Sequence, residues 1–265
     1  MTPLNTAVSG PLQRRGFNWV KIILTIKHTK HMNENMPREA GSVSGGSYNF
    51  KKEFPALLIV IASWILGWYF YQNFPAQVVT HWNFYGVPDS WGKGTTHALV
   101  LPGVITGMYL LFLALPYLDP KKERYEEFQK VYTIFKNLLL LVMFLIFLAS
   151  GLFNLGYNVQ IQYVAPIIIG LLMMIIGNYM GKIKPNWFMG IRTPWTLSSE
   201  TVWQKTHRLG GFLFTLFGLV LIAVPFLPKV FGLSLFIAMI VLLVFGTMGY
   251  SYWVYRQEKT GNSMQ

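Results

Sequence analysis

Two groups of side chains in this sequence have the types that chemistry needs. Glu200 and His207 lie seven positions apart with Trp203 between them, so on a helix all three share one face. A carboxylate beside an imidazole is an acid–base pair, the carboxylate orienting and charging the ring. The competing reading is structural: Glu200 pairs with Arg192 or His207 to hold its loop down, and Trp187, Trp195 and Trp203 form an aromatic belt at a membrane surface. The structural reading is favoured, because no serine or cysteine nucleophile motif accompanies the pair and no glycine-rich phosphate loop occurs. The second group is His81, Asp89 and His97. Their eight-residue spacings match no standard metal-ligand pattern, and capping a turn is the commoner use of an Asp that follows a proline, here Pro88. The chain has no cysteine, which excludes disulfides, thiolate metal sites and thiol chemistry. No catalytic residue, no metal site and no cofactor is expected.

Both groups, His97 apart, sit in loops that must be held by something. The first runs from Phe74 to Lys93, where Gly86, Pro88 and Gly92 impose turns and Trp82 and Trp91 offer amphipathic rings to a membrane surface or an apolar ligand. The second runs from Gly181 to Leu209. Within it, Ser198 suits a helix N-cap and Glu200 then falls in the first turn, which predicts a short helix over 199–209 with Lys205 and Arg208 on its other faces.

The elements between the loops are apolar throughout. Hydrophobic residues make up 53% of the chain and charged ones 12%, against about 25% in an ordinary soluble domain. Six segments lack the polar stripe of a soluble helix: about 55–74, 98–118, 133–153, 163–180, 210–227 and 231–252. Each is long enough to cross a ~30 Å hydrocarbon core. The predicted fold is all-α, a polytopic membrane protein of about six transmembrane helices. No ionisable residue stands near the centre of any span, which argues against an ion-driven carrier.

The net charge of +12 would suit phosphate binding, but its distribution points elsewhere. Of the 22 Lys and Arg, 20 fall in the N-terminal lead, the 119–136 region, the 181–209 loop and the C-terminal tail, which lie on one side if the spans alternate. The positive-inside rule then predicts both termini in the cytoplasm, a cell-membrane location and contact with the bilayer rather than with nucleic acid. Three regions are expected: a basic lead over 1–50, a first helix pair with the outer loop over 51–125, and a helical membrane domain over 126–258 that contains the inner loop 181–209. In the lead, Trp19–Ile26 suits a surface-lying amphipathic helix and Gly41–Ser47 a flexible linker.

The inner loop also carries a resemblance. Gly190-Ile191-Arg192-Thr193-Pro194-Trp195, then Ser199-Glu200, Val202-Trp203, Lys205-Thr206-His207-Arg208 and Gly210, resembles the signature of the SdpI family of bacterial membrane immunity proteins. Pro75, His81-Trp82-Asn83, Gly86, Pro88-Asp89 and Trp91 look like the domain of unknown function that precedes it in longer members. The resemblance implies bacteriocin immunity and signal transduction: protection from a secreted killing peptide of the SdpC type, and sequestration of an ArsR-like repressor at the membrane. On this reading Arg192, Thr193, Pro194, Trp195, Glu200, Trp203, Lys205, His207 and Arg208 form the inner, partner-binding set. His81, Trp82, Asn83, Gly86, Pro88, Asp89 and Trp91 face the toxin outside. The alternative is a transporter or membrane enzyme that uses Glu200 and His207.

Overall fold

The computed structural model describes residues 50–262. The basic lead, with Trp19–Ile26 and Gly41–Ser47, lies outside the described residues. In chain order the elements are α1 (Phe50–Asn73), β1 (Gln77–Trp82), β2 (Pro88–Lys93), α2 (Gly94–Leu118), α3 (Arg124–Asn154), α4 (Ile161–Met180), α5 (Pro194–Ser198), α6 (Glu200–Ala223), α7 (Lys229–Val241) and α8 (Thr247–Asn262). A single π-turn, Leu242–Gly246, joins α7 to α8. Six stretches are long and apolar enough to cross a membrane, α7 and α8 forming the last through that turn. Side chains such as Ile65, Leu110, Phe212 and Phe245 stand more than half exposed along them. In water that surface would drive aggregation; in lipid it is the solvated face.

Three features of the two loops differ from the sequence expectation. The helix predicted over 199–209 is the first part of α6, which continues unbroken through Gly210-Gly211. Those glycines do not end the helix; they let α6 approach α4, where a Cβ on Gly211 would lie 2.6 Å from the Gly177 carbonyl oxygen. The N-cap of α6 is Ser199, whose Oγ accepts from the Val202 N–H at 3.3 Å, and Ser198 instead closes α5. The outer loop contains a two-stranded antiparallel hairpin, paired Val78 with Gly92 and Val79 with Trp91. The run Val78-Val79-Thr80 favours extended backbone, and the turn is closed by Asn83 Oδ1, which accepts from the N–H groups of Tyr85 and Val87 at 2.9 and 3.1 Å. Gly86 occupies that turn with φ +73°, a conformation other residues enter only with strain.

The hairpin is seated on α3 by one side chain. Asn154 accepts from the Val79 N–H at 2.7 Å and donates to the Val79 carbonyl at 3.0 Å, so its amide takes the place of a third strand. At the opposite end of the bundle a core of Phe128, Tyr132, Phe135, Ile176, Met180 and Trp203 packs α3, α4 and α6 together. Near the same end a buried ion pair joins α1 to α3. The Lys136 ammonium, 2% exposed, donates to the Glu53 carboxylate in the first turn of α1.

Candidate functional site

The residues 181–209 are organised by buried polar side chains rather than by surface charge. Asn186, fully buried, accepts from the N–H groups of Phe188 and Met189 at 2.9 and 2.6 Å and donates to the carbonyls of Lys184 and Met189 at 2.9 and 3.2 Å. That single amide holds the turn leading to Gly190. Thr193 then caps α5 in a reciprocal capping box with Thr196, and its hydroxyl meets Ser251 of α8 at 3.0 Å. Trp195 packs against Tyr252 of the same helix, with ring centroids 5.0 Å apart. Ser199 Oγ donates to Glu258 at 2.7 Å. The signature loop is thereby fastened to the last helix at three points.

His207 is fully buried beneath this loop. Its ring stacks on Trp203 with centroids 4.0 Å apart. The Ile191 N–H donates to Nε2 at 3.0 Å, and Nδ1–H donates to the Trp203 carbonyl at 2.9 Å. Both ring nitrogens are therefore spent, in the neutral tautomer protonated at Nδ1. Gly190, at φ +100°, makes this possible: a Cβ there would lie 2.2 Å from Nε2. Trp203 in turn donates from Nε1 to the Ile183 carbonyl at 2.8 Å. His207 and Trp203, both in the expected partner-binding set, are fully buried and work as rivets between α6 and the loop.

Glu200 also departs from the expectation of pairing with Arg192 or His207. It pairs with Arg124 at the start of α3, accepting from Nη1 and Nη2 at 3.0 and 3.4 Å. Arg192 instead donates to the Trp187 carbonyl. The acid–base pair required by a catalytic reading is not made: the carboxylate points to α3 and the imidazole is buried with both nitrogens bonded. A second ion pair, Lys184 with Glu127 at 3.2 Å, parallels the first.

The centre of this junction is a residue the sequence reading passed over. Asp119, 2% exposed, accepts from the Lys121 N–H at 2.7 Å, the Trp187 N–H at 2.9 Å and the Tyr125 hydroxyl at 3.1 Å. It ties the α2–α3 turn to the signature loop. Its sequence signal was a lone Asp before Pro120 at the end of a span, which also marks an ordinary helix stop. What remains on the surface of the expected inner set is Arg192, Pro194, Glu200, Lys205 and Arg208, with Trp195 half-buried and Thr193 inside. Of its cations, none of Arg192, Lys205 and Arg208 makes an ion pair among the described residues.

At the hairpin end, His81 Nδ1 and Asp89 Oδ1 lie 2.6 Å apart across the two strands, both exposed. His97 is directed elsewhere, its Nε2 3.0 Å from Ser150 Oγ on α3. The three do not converge, and among the described residues no three of His, Asp and Glu gather as a metal site would require. Trp82 packs edge-on against Phe153, Gly86 lies against Gln162 of α4, and Pro88 pairs in register with Trp82. Asn83 serves the turn, while Trp91 is 59% exposed.

Comparison with known families follows the same two regions. Residues 182–251 match the SdpI/YfhL protein family, and residues 58–106 match a domain of unknown function, DUF1648. Residues 182–251 are therefore similar to the SdpI/YfhL family. The first of these matches begins just before the Asn186 turn and ends at Ser251, so it takes in the contacts of the loop with α6 and the Thr193–Ser251 contact, while Tyr252 and Glu258 lie beyond it. The second contains the hairpin and most of α1. The chain is also 27% identical over 208 residues to the immunity protein SdpI of Bacillus subtilis (strain 168), which covers 78% of this chain and 97% of that protein. No solved structure matches.

Proposed function

We propose that this chain is a multi-pass cell-membrane immunity protein that protects the cell producing it from a secreted, apolar killing peptide of the SdpC type. The observation that carries the reading is the likeness to the immunity protein SdpI, which extends over 97% of that protein's length. Both termini lie in the cytoplasm on this reading, which the distribution of 20 of 22 basic residues supports. The hairpin then faces outward and meets the toxin. The exposed cations Arg192, Lys205 and Arg208 face inward and dock an ArsR-like repressor. For toxin to signal across the bundle it must bind one arrangement of the helices more tightly than another, and the junction at Asp119, Glu200 and Arg124 is where the inner loops would change partners. The rival reading, a transporter or enzyme built on Glu200 and His207, is weakened by the engagement of both side chains with other groups.

The test is survival of a toxin-sensitive Bacillus strain that expresses the chain, against vector alone, under challenge with the killing peptide. Protection is expected. A well-expressed, membrane-inserted chain that gives none would refute the proposal. The native absence of cysteine makes orientation a direct measurement. In intact cells a membrane-impermeant maleimide should label Ser90→Cys and spare Lys205→Cys, and the reverse pattern would invert the topology.

A further inference from the structure

One flank of the last helix changes its chemistry along its length. On α8, Met248, Tyr252, Tyr255, Arg256 and Lys259 fall three and four positions apart, so they share one face. The face is apolar first, then aromatic, then cationic. Met248 and Tyr252 are exposed, as is Phe245 in the π-turn just before α8. At its far end Tyr252, Tyr255, Arg256, Lys259 and Thr260 line a shallow, open groove.

The two cations of this groove have no anion of their own. Arg256 and Lys259 are both exposed, and neither makes an ion pair among the described residues. Glu258 is the single acid of α8, and its carboxylate accepts from Ser199 Oγ at 2.7 Å, which commits it to the inner loop. The aromatic wall is held in place: Tyr252 packs on Trp195 with ring centroids 5.0 Å apart, and Lys259 Nζ stands 5.7 Å over the Tyr255 ring. A guanidinium and an ammonium one turn apart, beside fixed rings, suit a phosphate, which the first can bind through two N–H groups and the second as a point charge.

The place of the groove says which phosphate. After Lys229 the chain carries no charge until Arg256, so the apolar stretch of the last span runs down to this groove. Tyr252 then falls at the edge of the hydrocarbon, where tyrosine rings settle, and Arg256 lies about 6 Å further along the helix, at the depth of lipid phosphates. A soluble acidic protein would meet the cations but not the apolar face that leads to them. We propose that this flank seats one anionic phospholipid of the phosphatidylglycerol type. Its phosphate sits between Arg256 and Lys259, its ester region lies beside Tyr252, and an acyl chain runs along Met248 and Phe245. The site requires only that the last span cross the bilayer, so it depends neither on the immunity reading nor on which way the chain is inserted.

The test uses the full chain with Gln257→Cys, its only cysteine, which is exposed beside the groove and does not line it. The thiol carries bimane, and the protein is placed in phosphatidylcholine nanodiscs. Phosphatidylglycerol or phosphatidylcholine bearing a nitroxide near the ester end of one acyl chain is then added, and the mole fraction that halves the fluorescence is read. Phosphatidylglycerol should reach that point at a mole fraction about ten- to thirtyfold lower. Arg256→Gln and Lys259→Gln together should bring the two lipids level, and each alone should reduce the preference about fivefold. Lys182→Gln, which removes a cation beyond the end of α4, should leave the preference as it was. Equal quenching by the two lipids would overturn the proposal. So would a preference that survives the double change, or one that Lys182→Gln lowers as much. Two competitors test the source of the anion. Relief of quenching by millimolar glycerol phosphate would make this a site for free phosphate compounds, relief by hexaglutamate a site for an acidic protein segment, and either would refute a lipid seat. No arm of this test reads protection from a toxin, so the lipid site and the immunity reading stand or fall separately.

Discussion

Replacing Gly190 by alanine puts a methyl group where the His207 ring already is. The new Cβ would lie 2.2 Å from Nε2, so the ring must move and the Ile191 N–H loses its acceptor at 3.0 Å. Two effects add: about 1–3 kcal/mol for holding a residue with a side chain at φ +100°, and about 1–3 kcal/mol for the part-buried N–H left unsatisfied. Gly190→Ala should therefore destabilise the protein by about 2–6 kcal/mol. His207→Ala should cost a similar about 3–5 kcal/mol, since it removes a fully buried ring stacked on Trp203 along with both of its hydrogen bonds. The decisive quantity is the double variant. Both single changes break the same Ile191 hydrogen bond, and with the His207 ring gone the three atoms nearest the new methyl group are gone too. The two penalties should therefore overlap by about 1–3 kcal/mol. Thermal unfolding of the detergent-solubilised variants, followed by circular dichroism, measures all three. Penalties that sum to within about 0.5 kcal/mol would mean that Gly190 and His207 act independently, and the rivet described here would be wrong.

Asp119→Ala strands three donors at once and should destabilise by about 2–4 kcal/mol, with proteolysis in detergent quickening first at the loop around Trp187; an unchanged cleavage rate would remove Asp119 from the centre of the junction. Lys136→Met leaves Glu53 in a mostly buried site without its cation and should cost about 3–5 kcal/mol, while adding Glu53→Gln should restore most of that in the same unfolding measurement. Glu200→Gln breaks only a half-exposed pair with Arg124, so unfolding should shift by less than about 1 kcal/mol and protection should persist. Abolished protection in a folded Glu200→Gln chain would revive the chemical reading of that carboxylate.

The six spans could be located without coordinates because the signal that defines them is local. A segment that must satisfy its backbone in hydrocarbon has to be helical, apolar and about twenty residues long, and each condition is met or failed within the segment itself. The loops were legible in part. The tight turn at Gly86 was anticipated from residue type, yet the strands flanking it were not, because six residues of modest alternation do not distinguish a hairpin from an irregular loop.

Residue types therefore determined by themselves that the chain spans a membrane, where its helices run, and which two loops hold its polar chemistry. Tertiary structure decided what those polar groups do. Glu200 found Arg124 76 positions away rather than its sequence neighbours Arg192 and His207, and Asp119 reached Trp187 across 68. His207 was buried because α6 continues through Gly210-Gly211 and presses against α4. Such pairings depend on how helices pack side by side, and packing is a property of surfaces brought together from distant parts of the chain. No spacing within a single loop encodes it.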